Sequence, residues 1–141
     1  MPTDAAIAEL ATEIRLACMR ISRRVRFESG SSLAPHQFSV LVRLGEHPRT
    51  PRELADIEKV SAPSMTRTTN GLVERGLVAR AADPDDGRCV ILSLTPEGAA
   101  QVATIRAARD GWMSSRVGNL TPEEREVLRQ ASAILHKVAQ A

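Results

Sequence analysis

Ile7, Leu10, Ile14, Cys18, Ile21 and Val25 recur at three- and four-residue spacing. That period predicts one apolar stripe along a helix of about six turns. Arg15, Arg20, Arg23, Arg24 and Arg26 fall on its other faces. The stretch ESGSSLAP, residues 28–35, breaks the period with residues that disfavour helix continuation. A second helix is expected to start near Pro35, to bury Phe38, Leu41 and Val42, and to end in GEHPR.

Two short helices follow. In TPRELADI, Thr50 is the N-cap, Pro51 the first helical residue, and Glu53 the third position of a capping box. EKVSAPS starts the next helix, with Ser61 as cap and Pro63 in the first turn. It runs from about Ala62 to Arg75, buries Met65, Thr69, Leu72 and Val73, and stops at Gly76. LVARAA and CVILSL then read as two strands around the tip DPDDGR, with Val90, Leu92 and Leu94 on one face. Two short helices with a tight connection, followed by a hairpin, predict a helix-turn-helix with a wing.

TPEG opens a long helix capped by Thr95, with Val102, Ile105, Ala108 and Trp112 as its main stripe. A second capping box, Thr121 with Glu124, opens a last helix whose apolar face is Val127, Ala131, Ile134, Leu135 and Val138. The first helix and the last two each need a partner for their stripes. Packing together, with the surplus apolar surface covered by a second copy, is the simplest solution, and packing within one chain alone is the competing one. The fold expected is mainly α with a small β-hairpin wing. Residues 1–33 and 96–141 form the flanking dimerisation helices, and residues 34–95 form the winged helix-turn-helix.

Composition narrows the functional classes. At 141 residues the chain has one domain's length. Aromatic residues make up 2% and tyrosine is absent, which disfavours single-strand binders that stack bases on aromatic platforms. The net charge of +2 is a weak pointer to a polyanionic partner. Cys18 and Cys89 are far apart and lack metal-ligand spacing, so reduced, buried thiols are expected. MPTDAAIAEL lacks the pattern of a secretory signal and no apolar run reaches about 20 residues, so a soluble, cytoplasmic protein with no membrane partner is expected. No glycine-rich phosphate loop, nucleophile elbow or metal motif is present, which argues against an enzyme and against a cofactor or metal. His36, His47 and His136 stand on separate elements.

The order of elements, together with TPRELA, SAPSMTRTTNGLVERGLVAR and DPDDGRCVILSLTPEG, resembles the MarR (multiple antibiotic resistance regulator) family across nearly the whole chain. The wing followed by LTPEG is the most specific piece. The resemblance implies a dimeric winged-helix regulator, more often a repressor than an activator, that binds a palindromic double-stranded operator. It further implies release by a small ligand, aromatic or phenolic, or by oxidation.

On that resemblance Pro63, Ser64, Thr66 and Arg67 occupy the first turns of the recognition helix, where side chains reach base edges. Arg67 is the candidate for direct readout, because a guanidinium pairs in bidentate fashion with guanine. Ser61, Ser64 and Thr66 are candidates for phosphate contacts, with capping as the alternative role of Ser61. Arg52 is a further phosphate candidate. Arg88 resembles the arginine that family members insert into the minor groove, and Asp86 the aspartate that holds it. Asp83 and Pro84 are expected to shape the turn and Gly87 to supply a positive φ.

Three departures from the family pattern stand out. Gly87 and Asp85 replace residues that are often basic or neutral, which implies a weaker non-specific grip by this wing. Ala34 stands where a Ser or Thr cap is frequent. Family ligands bind between the dimer helices and the winged helix, which nominates Arg15, Met19, His36 and Arg109 as effector contacts. The alternatives are a winged-helix protein-interaction module without specific DNA binding, and a thiol-based redox-sensing regulator built on Cys18.

Overall fold

Hydroxyl caps and prolines set most of the helix starts. Thr50, Ser61 and Thr121 each accept a bond from the amide three residues on, at 3.1, 3.2 and 3.1 Å, and each precedes a proline in the first turn. The chain in this computed structural model, described over residues 1–141, has six helices and two strands. They are α1 (Asp4–Glu28), α2 (Pro35–Glu46), α3 (Pro51–Glu58), α4 (Ala62–Glu74), β1 (Val78–Ala82), β2 (Val90–Leu94), α5 (Pro96–Gly118) and α6 (Pro122–Gln140). They form two compact units, Ser29–Ala107 and Met1–Glu28 with Ala108–Ala141.

The unit Ser29–Ala107 is a winged helix-turn-helix. Its core is built from Leu41, Leu54, Leu72 and Leu92, all nearly inaccessible, with Val102 and Ile105 of α5 completing it. β1 and β2 pair antiparallel, with Val78 opposite Leu94 and Arg80 opposite Leu92. Arg49, just before α3, adds a two-way backbone bridge to Leu92 at 3.0 and 2.8 Å. That bridge fastens the wing to the α2–α3 connection.

α2 buries Val40, Leu41 and Leu44, whereas Phe38 and Val42 pack at the margin of the core. The expected stripe was displaced because α2 packs against both α4 and β2 and is covered over a wider arc than one stripe. α4 buries Met65, Thr69 and Leu72 and leaves Val73 partly covered. Thr69 is tolerated in the core because its Oγ1 donates to Met65 O at 2.9 Å.

The capping boxes differ from expectation at one helix. Thr121 and Glu124 form the full reciprocal box, with Thr121 N donating to Glu124 Oε1 at 3.0 Å. At α3 only the Thr50 half forms; Glu53, exposed, does not reach back. At α2 the N-cap Ala34 has no hydroxyl, and Gln37 Oε1 supplies the return half by accepting from Ala34 N at 3.0 Å.

The end of α4 and the start of α5 are locked together. Gly76, at φ 75°, closes α4 with Gly76 N to Val73 O and Leu77 N to Leu72 O, both 3.0 Å. That paired pattern satisfies two otherwise orphaned carbonyls. Thr95 Oγ1 accepts from Gly98 N at 3.0 Å and donates to Gly76 O at 2.7 Å. Gly98 packs so tightly that a Cβ there would lie 2.2 Å from Leu77 O. α3 ends on Lys59 in the left-handed region, at φ 55°.

In the unit of Met1–Glu28 with Ala108–Ala141, α1 and α6 bury no residue. Ile7, Leu10 and Ile14 of α1 and Val127, Ile134 and Val138 of α6 are all exposed. Trp112 Nε1 donates to Glu28 Oε2 at 2.7 Å, and Arg116 Nη2 reaches the same oxygen at 3.1 Å while its guanidinium lies 3.5 Å over the indole. The expectation of buried thiols is corrected here: Cys18 and Cys89 are both exposed. Cys18 lies on the α1 stripe, most of which is exposed in one chain, and Cys89 stands beside the tip of a two-stranded wing.

Candidate nucleic-acid interface

The start of α4 presents its polar side chains to solvent. Ser61 Oγ is engaged as the cap, accepting from Ser64 N. Pro63 stands in the first turn, where its missing N–H costs nothing. Thr66 Oγ1 donates to Ala62 O at 2.9 Å and Thr68 Oγ1 to Ser64 O at 3.2 Å. In the free chain, therefore, the Thr66 proton expected for a phosphate is already committed to its own helix. What Thr66 offers outward is a methyl group and an acceptor.

Arg67 is exposed and held only by a 3.2 Å bond from Nη2 to Ser64 Oγ. A single neutral partner leaves the guanidinium charge intact and the side chain free to reorient. Arg52, also exposed, lines a shallow groove with Thr50 and Asp56 on α3's side and Cys89 and Val90 at the tip end of β2.

The wing tip is built by its aspartates. Asp83 Oδ1 accepts from Asp85 N at 2.9 Å, and Asp86 Oδ1 accepts from Arg88 N at 3.1 Å. Asp83 N donates to Cys89 O and Cys89 N to Asp86 O, both at 2.9 Å, closing the hairpin. Side-chain oxygens bonding amides two residues on are what lets Asp form such turns. The expected positive φ at Gly87 is absent: Gly30 and Gly76 are the glycines in that region. The two aspartate turns shape the tip without it.

Asp86 also holds Arg88, whose Nε donates to the same Oδ1 at 3.3 Å while the side chain stays 92% exposed. The Arg88 backbone N–H, then its guanidinium, hold the Asp86 carboxyl below the usual range. The Asp86 charge, and its contact with Cys89 Sγ at 3.6 Å, push the Cys89 thiol up. Cys89 is thereby disfavoured as a thiolate nucleophile.

The effector candidates are divided between the units. Arg15 and Met19 are exposed on α1 and Arg109 is partly buried on α5, all in the helical unit. Burial and the nearby Arg26 charge lower the Arg109 guanidinium from its ordinary value. His36 belongs to the unit Ser29–Ala107, where it lines a groove of about 480 Å³ with Val40, Glu58, Met65 and Arg67.

Sequence reasoning passed over one pair at this surface. Arg80 on β1 donates through Nη2 to Asn70 Oδ1 on α4. Ten residues and a change of element separate them, so no local spacing signals the bond.

A family model described as MarR family matches residues 31–88. The chain is 42% identical over 130 residues to an HTH-type transcriptional regulator of Mycobacterium tuberculosis, covering 91% of each chain. It is 30% identical over 139 residues to the HTH-type transcriptional repressor MdtR of Bacillus subtilis, covering 94% of this chain and 88% of that one. A solved structure of a putative transcriptional regulator from Pseudomonas aeruginosa superposes with a TM-score of 0.83 at 32% identity over 99% of both chains. A MarR family protein from Bacillus stearothermophilus shares the fold, with a TM-score of 0.81 at 22% identity over all of both chains.

Proposed function

Because the chain belongs to the MarR family of winged-helix regulators, we propose that it is a sequence-specific DNA-binding repressor. In this reading a homodimer grips a palindromic operator and a small aromatic or phenolic ligand releases it. The observation that carries the DNA-binding reading is Arg88, 92% exposed at the wing tip and aimed by Asp86, in the same unit as the recognition helix with Arg67. A guanidinium that is fixed at one end and bare at the other suits insertion into a narrow minor groove.

Dimerisation is supported by the apolar faces of α1 and α6, which leave Ile7, Leu10, Ile134 and Val138 exposed in a single chain. Exposed stripes of that size are interaction surfaces as a rule. A dimer presents two recognition helices to half-sites one helical turn apart, which is why the operator is expected to be palindromic. The repressor sign draws support from the Bacillus subtilis relative named as a repressor.

The test is footprinting on the DNA around the protein's own gene, followed by binding to the protected duplex and to random duplex across a salt series. A regulator protects a palindrome and prefers it by about a thousandfold or more, with affinity falling steeply in salt. Equal, salt-insensitive binding to both duplexes, or none, leaves the winged helix as a protein-interaction module.

A further inference from the structure

We propose that Arg80 grips the phosphate strand between the two DNA grooves and that Asn70 is the positioning residue that holds it there. The inference rests on the DNA-binding reading above. Residues directly opposite in an antiparallel pair share a face of the sheet. Arg80 lies opposite Leu92, and Val78 is two residues back along β1, so Arg80 shares the face that sends Leu92 and Val78 into the core. On β1 the cover ends at Val78: the core reaches Leu92 and Val90 on the facing strand, while Arg80 and Ala82 are exposed. Its guanidinium turns instead to α4 and donates to Asn70 Oδ1.

Asn70 is exposed and stands four residues after Thr66 and three after Arg67, spacings that place it on their side of α4. A duplex that takes α4 into its major groove and the wing tip into the adjacent minor groove must pass one sugar–phosphate strand between them. The Arg80–Asn70 bond spans that passage, from wing to recognition helix.

The choice of partner is informative. An amide fixes a guanidinium without cancelling its charge, whereas a carboxylate does both. Arg43 and Arg49 pair with Glu46, and Arg88 with Asp86, but Arg80 makes no ion pair. One of its five N–H donors is spent on Asn70, and the planar fork that remains suits a phosphate. Charge balance points the same way. Residues 78–94 hold two arginines, Arg80 and Arg88, against Asp83, Asp85 and Asp86. With Arg88 given to the minor groove, Arg80 is the one cation the wing has left for the backbone.

The experiment measures binding of the full chain to its footprinted operator and to a random duplex over a salt series. Arg80→Ala should flatten the slope of log K against log salt by about one for each chain bound. It should weaken both duplexes by a similar factor, and Arg80→Lys should restore most of the slope. Asn70→Ala should weaken binding in the Arg80 background and change little in the Arg80→Ala background. An unchanged slope in Arg80→Ala, with thermal unfolding also unchanged and the unaltered chain binding normally, overturns the assignment alone. A changed base preference in Asn70→Ala with the slope intact makes Asn70 a base reader and overturns its positioning role. Failure of the unaltered chain to bind either duplex overturns the DNA-binding reading and this assignment with it.

Discussion

Asp86 and Arg88 are joined twice through one oxygen: Oδ1 of Asp86 accepts from the backbone N–H of Arg88 at 3.1 Å and from its Nε at 3.3 Å. The first bond shapes the turn and the second aims the side chain. Asp86→Asn keeps an acceptor for the amide and loses the ion pair. Arg88→Ala should weaken binding most where the flanking A/T-rich minor groove is narrow, because that groove has the strongest negative potential. Asp86→Asn should give a smaller loss on the same duplexes. Competition between operators with narrow and wide flanks checks both, and equal losses on the two would remove Arg88 from the minor groove.

Arg67 and Arg52 are expected to separate specificity from grip. Arg67→Ala should cost about 1 to 3 kcal/mol and flatten base preference at one position. Arg52→Ala should weaken operator and random duplex alike and lower the salt slope by about one for each chain bound. Binding to a set of single-base operator variants distinguishes the two patterns.

Gly98→Ala places a methyl 2.2 Å from the carbonyl oxygen of Leu77, and the obstacle is backbone, which cannot swing aside. Overpacking of this kind costs about 1 to 3 kcal/mol. Thr95→Ala removes a helix cap at about 0.5 to 2 kcal/mol, together with the bond to Gly76 O. Both should lower the thermal midpoint. Gly87→Ala, with open space around it and no positive φ, should leave the midpoint almost unchanged.

Glu28 is held below the usual carboxylate range, first by the Trp112 indole N–H and then by Arg24. A group with a depressed folded pKa stabilises the fold above its unfolded value of about 4.3 and loses that contribution as pH falls through the folded value. Trp112 is the sole tryptophan, so its fluorescence reports the bond directly. The emission should hold steady from pH 8 to about 4.3 and change only below it. In Glu28→Gln that acid transition should vanish.

The local chemistry of α3, α4 and α6 was legible in the sequence. Thr50, Ser61 and Thr121 stand before prolines, and each caps the helix predicted for it. The wing strands were legible from period two. What escaped depends on neighbours distant in the chain. Val40 and Leu44 are buried because α2 is packed from two sides, and Arg80 meets Asn70 across two elements. Gly87 was misread because glycine suggests left-handed backbone, while Asp83 and Asp86 had already made the turns with their carboxylates. Cys18 was expected inside because its stripe is apolar; an apolar stripe specifies a need for cover and not where the cover comes from.

The wing is riveted at three places: Thr95 to Gly76 at its foot, Leu92 to Arg49 along its length, and Arg80 to Asn70 across to α4. On the proposed DNA-binding reading, α4 and the wing therefore behave as the two jaws of a fixed caliper. A duplex presented to them must match one groove-to-groove width, and any mismatch has to be absorbed by the DNA. Base pairs between the jaws, touched by no side chain, will then be selected for how readily they twist or narrow the groove. Binding DNA as proposed, the protein measures its operator as well as reading it.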